Sequence, residues 1–269
     1  MDTLSVVVTT HNDVAFIDRA LESVDSAIGF LHRQGGRFAE VPCEVVVVDD
    51  GSRDGTHERV LAFTAGRAGY KVLRSPQPRS PSASRNEGAA ASRGSLLAFL
   101  DGDDRFRANH LFECYWALEN GQFGFVKTQI ETSDPVFPEW RDRIRNSIII
   151  NLCVRRACHE FVGGFPDYLI VSRQGTALRH EIDAFFKIED IWYNQLLGRF
   201  FRGYGCSTST VEYFRRPGNS FDLQYAKFQV PPGQYRDPPD QDREFRLKLC
   251  HLLMEYHVSK LEASRSKNG

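Results

Sequence analysis

Long apolar runs are missing from this chain. None approaches the roughly 18 residues of a membrane-crossing helix, so no transmembrane segment is expected. A charge excess is missing too: 34 Lys and Arg stand against 35 Asp and Glu, a formal net charge of −1. A nucleic-acid partner needs a basic surface, so that class is set aside. Clustered cysteines are also lacking. Cys43, Cys114, Cys153, Cys158, Cys206 and Cys250 are scattered, with no Cys-x-x-Cys pair. A structural zinc needs grouped ligands, so buried free thiols are expected instead. The strand pattern begins at Leu4, which leaves no room for a signal peptide, and a cytoplasmic location follows by default.

What is present suits a globular enzyme. The 269 residues are 41% hydrophobic and 12% aromatic, enough for one large domain or two small ones. Short continuous apolar runs at 4–8, 44–48, 71–74 and 96–100 read as buried strands. Ile17, Ala20, Leu21, Val24 and Ile28 recur at helical spacing, which predicts a helix over 14–28. Further helices are predicted from Thr56 to near Gly66 and over 83–92, after a proline-rich loop at 75–82. Strand and helix therefore alternate through the first hundred residues. That pattern calls for an α/β fold, a mostly parallel Rossmann-like sheet with helices on both faces.

Beyond residue 110 the pattern changes. Helices are predicted at 111–118 and 188–200, strands at 123–130, 148–154 and 211–214, and a loop at 163–166. The prolines of 231–240 predict a linker, and Phe245, Leu249, Leu252, Leu253 and Tyr256 mark an amphipathic C-terminal helix. That helix is expected to pack on the domain, with a peripheral membrane or dimer contact as the alternative. The tail 264–269 is expected to be disordered. The organisation is thus 1–110 and 111–229 as two halves of one domain, with 230–269 as linker and helix.

Acidic groups fall at the ends of these elements. Asp49-Asp50-Gly51-Ser52 follows the second strand, Asp101-Gly102-Asp103-Asp104 follows the fourth, and Glu189-Asp190 opens a helix. Open α/β sheets bind ligands just past the carboxyl ends of their strands. A hard cation held there by carboxylates would neutralise a diphosphate leaving group. The Asp50 carboxylate could accept from the imide N–H of uracil. Each cluster also reads as a polar turn or a helix cap, and Asp190 alone reads as a cap.

Four motifs occur together: Leu4 to Asn12; Val46 to Thr56, containing Asp49-Asp50-Gly51-Ser52-Arg53-Asp54-Gly55; Ser84-Arg85-Asn86-Glu87-Gly88; and Leu100-Asp101-Gly102-Asp103-Asp104. In this order they resemble the family 2 glycosyltransferases of GT-A fold. Val162-Gly163-Gly164-Phe165 and Glu189-Asp190 match more loosely. The resemblance implies an inverting enzyme using a nucleotide-diphospho-sugar, with UDP favoured, and Mn2+ or Mg2+. It implies that Thr9, His11 and Asp50 line the base and ribose pocket, that Asp49 supports it, and that Arg85 and Asn86 lie near the nucleotide sugar. Asp103 would be the principal metal ligand and Asp101 would contact the ribose or the metal shell. Asp190 would be the general base, beside Glu189. The acceptor would be a glycan, a lipid-linked glycan or a small molecule.

One departure is the segment after the last core strand. Many members carry a histidine there; this chain has Arg215 and Arg216, either of which could meet the diphosphate. Two other classes compete: a catalytically silent relative that binds nucleotide or carbohydrate, and a phospho-acceptor signalling domain. Asp50, Asp103 and Asp190 argue against the first, and the second half of the chain argues against the second.

Overall fold

A computed structural model describes residues 1–132, 136–166, 189–214, 227–234 and 243–268. The strands are β1 (Leu4–Thr10), β2 (Cys43–Asp49), β3 (Tyr70–Arg74), β4 (Leu96–Asp101), β5 (Arg105–Phe106), β6 (Phe125–Thr132), β7 (Leu152–Arg155) and β8 (Gly203–Tyr213). The helices are α1 (Ile17–Arg33), α2 (Thr56–Thr64), α3 (Pro81–Ala91), α4 (His110–Asn120), α5 (Arg141–Ser147), α6 (Arg156–Phe161), α7 (Glu189–Phe200) and α8 (Arg243–Asn268).

The strands form one sheet in the order β3-β2-β1-β4-β7-β6-β8-β5. Its first half is parallel, as expected. Its second half is mixed: β7 runs antiparallel to both β4 and β6, and β8 runs parallel to β6. Register decides where the acids lie. Thr10 pairs with Asp49, and Thr9 with Asp101, so β1, β2 and β4 end level with one another. Because β7 is reversed, the chain entering it at 148–150 meets the same edge that β4 reaches on leaving.

Side chains alternate across the sheet. Val6 and Val8 face α1 and α4, while Val7 faces α3, α6, α7 and α8. The buried stripe of α1 is Ile17, Ala20, Leu21, Val24, Ala27 and Leu31. Each fully buried Ile or Leu there stabilises the fold by about 1.5–3 kcal/mol. On the other face Val258 of α8 is buried, and His257 reaches the Val162 carbonyl at 3.1 Å.

Several boundaries differ from the sequence expectations. α1 runs to Arg33 rather than 28. α3 starts at Pro81, because proline suits the first helical position and the Ser80 hydroxyl caps Ala83 N at 3.0 Å. The strand expected over 148–154 shortens to β7, preceded by a turn. The strand expected at 211–214 begins at Gly203, and its exposed polar stretch hides it from an apolar-run reading. The tail expected to be disordered is helical through Asn268. The linker expected over 231–240 lies partly outside the described residues. Among the described residues no helix is long and apolar enough to cross a membrane. Cys43, Cys114, Cys153, Cys158 and Cys206 are free thiols.

The close seat of α3 on the sheet is testable. A Cβ at Gly88 would lie 2.3 Å from Val7 Cγ1 and 3.1 Å from Val48 Cγ2. Gly88→Ala is expected to lower stability by about 1–3 kcal/mol through overpacking, read as an earlier urea midpoint.

Candidate active site

Past the level ends of β1, β2 and β4 opens a cleft of ≈610 Å³. Thr9, His11, Asp50, Arg85, Asp101, Asp103, Glu189 and Asp190 all line it. Asp49 and Asn86 do not; each works behind the wall. Arg215, Arg216 and residues 167–187 lie outside the described residues.

The loops after β1 and β2 brace each other. Asp50 N donates to the Thr10 carbonyl at 2.9 Å, and His11 Nδ1 donates to the Asp50 carbonyl at 2.8 Å. Asn12 adopts φ 56°, a left-handed conformation that asparagine tolerates. Its N–H donates to Ser52 Oγ, and its side-chain oxygen accepts from Arg53 N, both at 2.9 Å. Asp49 is fully buried and accepts from Ser52 N at 3.0 Å, with His57 at 3.2 Å and Arg74 at 3.3 Å. It shapes the loop rather than facing the cleft. Gly51 has φ +72°, and a Cβ there would lie 2.7 Å from the Gln77 backbone, so no larger residue fits.

The Asp50 carboxylate accepts from Arg79 N at 3.1 and 3.2 Å and meets Arg79 Nε at 3.5 Å. Arg79 also pairs with Glu87. A carboxylate has about four acceptor positions, so Asp50 retains capacity for a ligand. Sequence reasoning missed Arg79, because the proline-rich loop around it carries no periodic signal.

Arg85 ties the two halves of the site together. Its Nη2 donates to both Asp101 oxygens at 3.0 Å, and its Nη1 donates to Asp190 Oδ1 at 2.8 Å. Thr9 Oγ1 adds a bond to Asp101 at 3.0 Å. The Arg85 guanidinium carbon lies 5.5 Å from the Phe165 ring centroid, and that ring stacks on Tyr193 at 4.0 Å. Asn86 fastens Phe165 by its backbone, donating to the carbonyl and accepting from the N–H, both at 2.8 Å. Asn86 therefore seats the aromatic floor beneath Arg85.

Burial opposes the Arg85 charge, but Asp101, Asp190 and Glu189 outweigh it and hold its pKa above the ordinary value. Burial raises the Asp190 pKa, against the Arg85 charge, which lowers it. Glu189 is pushed up to about 8 by burial and by the neighbouring Asp190. Its Oε2 is buried without a hydrogen-bond partner.

Among the described residues the cleft wall carries seven carboxyl groups (Asp13, Asp50, Asp101, Asp103, Asp104, Glu189 and Asp190) and the guanidinium groups of Arg79 and Arg85. Asp104 is turned to structure, its Oδ1 accepting from Phe214 N at 2.7 Å. Among the described residues no three His, Cys, Asp or Glu side chains converge as a ready-made metal cage.

Comparison with known proteins gives this geometry a family. The sequence profile of "Glycosyl transferase family 2" matches residues 5–186. The chain belongs to glycosyl transferase family 2. Glycosyltransferase AglE of Haloferax volcanii is 28% identical over 200 residues, covering 69% of this chain and 63% of that protein. Succinoglycan biosynthesis protein ExoO of Rhizobium meliloti is 36% identical over 108 residues, covering 40% of this chain and 27% of that protein. The chain thus spans less than two thirds of the length of either relative. Among solved structures, S. aureus TarS 1-349 in complex with UDP-GlcNAc has TM-score 0.65 at 17% identity, covering 95% of this chain and 66% of that one. The mannosyltransferase PcManGT of Pyrobaculum calidifontis, in complex with GDP-Man and Mn2+, has TM-score 0.61 at 14% identity, covering 99% and 74%. The family 2 chain shares the GT-A fold with them.

The Glu189 environment makes a stability prediction. The unfolded chain releases this proton near 4.5 and the folded protein near 8. Stability tied to the retained proton is therefore complete below 4.5 and is lost as pH rises towards 8. Glu189→Gln removes that loss. Its melting temperature is expected to gain on wild type steadily from pH 5 to pH 8.5.

Proposed function

We propose that this family 2 protein transfers a sugar from a nucleotide-diphospho-sugar to an acceptor hydroxyl with inversion at the anomeric carbon. The observation that carries the reading is that Asp50, Asp103 and Asp190 line one cleft, in which Arg85 joins Asp190 to Asp101. The donor belongs at the β1–β2–β4 end. Asp50, held by Arg79, suits the imide N–H of uracil, which favours UDP. Thr9 and His11 line the same end, and Asp101 suits the ribose.

A divalent cation fits the chemistry of this wall. Among the described lining residues carboxyl groups outnumber guanidinium groups, so added positive charge would favour a diphosphate there. Mg2+ or Mn2+ binds through one or two carboxylates and takes its remaining oxygens from phosphate and water, so no protein cage is required. Asp103 would hold it, with Asp101 in its outer shell. When bound, the cation supplies charge neutralisation for the departing diphosphate.

The residues of the chain do the rest. Asp190 takes the proton of the acceptor hydroxyl while that oxygen bonds to the anomeric carbon. The bond from that carbon to the β-phosphate oxygen breaks, and the nucleoside diphosphate leaves with the electron pair. One in-line displacement inverts the configuration. Arg85 keeps the Asp190 carboxylate facing the donor end and favours its ionised form. Burial works the other way, so the base keeps strength for a proton. Because Asp190 acts ionised, activity falls as pH drops through its raised pKa. The acceptor would be a glycan, a lipid-linked glycan or a small molecule, reached from the 148–150 side.

A thermal-shift screen of nucleotide sugars with Mn2+ tests the reading, since a ligand of the native state raises the melting point. Asp103→Ala is expected to abolish the metal-dependent part of that shift. Asp190→Asn is expected to keep the shift and lose transfer by at least about a hundredfold. Normal turnover by Asp190→Asn would end the base assignment.

A further inference from the structure

Lys127 is an ionisable residue inside a buried stretch of β6, 3% exposed and outside the lining of the cleft. Its ammonium donates to the Ile148 carbonyl and to Asn194 Oδ1, the latter at 2.9 Å. Asn194 Nδ2 reaches the same Ile148 carbonyl at 3.2 Å. Asn194 lies one helical turn after Asp190 on α7, and Ile148 lines the cleft. One buried cation therefore joins a sheet strand, the helix that carries Asp190 and the opposite lip of the cleft.

The geometry points to Lys127 as a positioning residue for Asp190, one that locks α7 to the 148–150 lip and supplies a second positive charge behind the base. The inference rests on Asp190 being the base. A buried ammonium with few partners is costly to keep, and a purely structural contact here could be made by a neutral side chain. Burial pushes the Lys127 pKa down to about 7; Asp190 raises it and Arg145 of α5 lowers it. The ammonium in turn lowers the Asp190 pKa, as Arg85 does, while Asp101 raises it. Glu189 on α7 is the remaining titratable neighbour of the pair, and burial keeps it protonated up to about pH 8. Below neutral pH Lys127 is charged, and Asp190 ionises against two cations rather than one.

The test needs no substrate. Asp carboxyl carbons are labelled with 13C, the Asp190 signal is assigned by its loss in Asp190→Asn, and its titration is followed by NMR. Lys127→Met keeps the length and removes the charge. Its Asp190 midpoint is expected to rise by about one pH unit, the size expected on losing a near opposite charge. Lys127→Arg, which keeps the charge, is expected to titrate near wild type. An unmoved midpoint in folded Lys127→Met overturns the proposal, as does an equal rise in Lys127→Arg. If Lys127→Met does not fold, Lys127→Gln is read the same way. Failure of the base assignment shows separately, as transfer retained by Asp190→Asn.

Discussion

The contact between one buried guanidinium and two carboxylates holds this site together. Arg85 is 4% exposed and grips Asp101 and Asp190, which lie 16 and 105 residues away in the chain. Asp101 ends a parallel strand, whereas Asp190 opens a helix packed on one face of the sheet. No strand pairing joins those two elements directly, so their separation across the cleft is set by side chains. The planar fork of arginine suits the task, since it can bond one acid with one nitrogen and the other acid with another. A lysine ammonium has no such geometry. Phe165 and Asn86 underlie the fork, and the glycine-rich turn that carries Phe165 therefore belongs to the same constraint.

The two halves of the sheet divide the work. Parallel strands ending level place Thr9, Asp50 and Asp101 on one rim, in the manner of nucleotide-binding α/β sheets. The reversed β7 brings 148–150 to that rim from the opposite direction, and β8, parallel to β6, returns Tyr213 to it. A rim rich in charge thus faces a lip rich in isoleucine. Repulsion within the acidic wall is the cost of this arrangement. It is offset by Arg79 and Arg85 and by the protons that burial retains on Glu189.

Much of this was legible in the sequence. Residues Val6 to Val8, Val45 to Val48 and Leu96 to Leu100 are continuous apolar runs because both faces of the sheet are covered, and such runs announce themselves. The acids that follow them announced the cleft. The mixed half was harder to read. β8 exposes Gly203, Tyr204, Gly205, Ser207 and Thr208 to solvent, so no hydrophobic pattern marks its start. Helical propensity cannot reveal that Pro81 begins α3, which depends on the Ser80 cap. Arg79 and Lys127 owe their importance to partners distant in sequence, which no local pattern reveals. The placing of Asn86 under Phe165 instead of in the cleft is likewise a tertiary fact.

The hydrogen bond from His257 to the Val162 carbonyl has a reach beyond its own neighbourhood. Val162 leads directly into Gly163, Gly164 and Phe165, and from Phe165 the contacts pass to the guanidinium that spans the cleft. The last helix therefore braces the aromatic floor from outside. Whatever displaces it, a clipped terminus or a docked protein, would slacken the chemistry from the opposite surface of the molecule without touching either substrate.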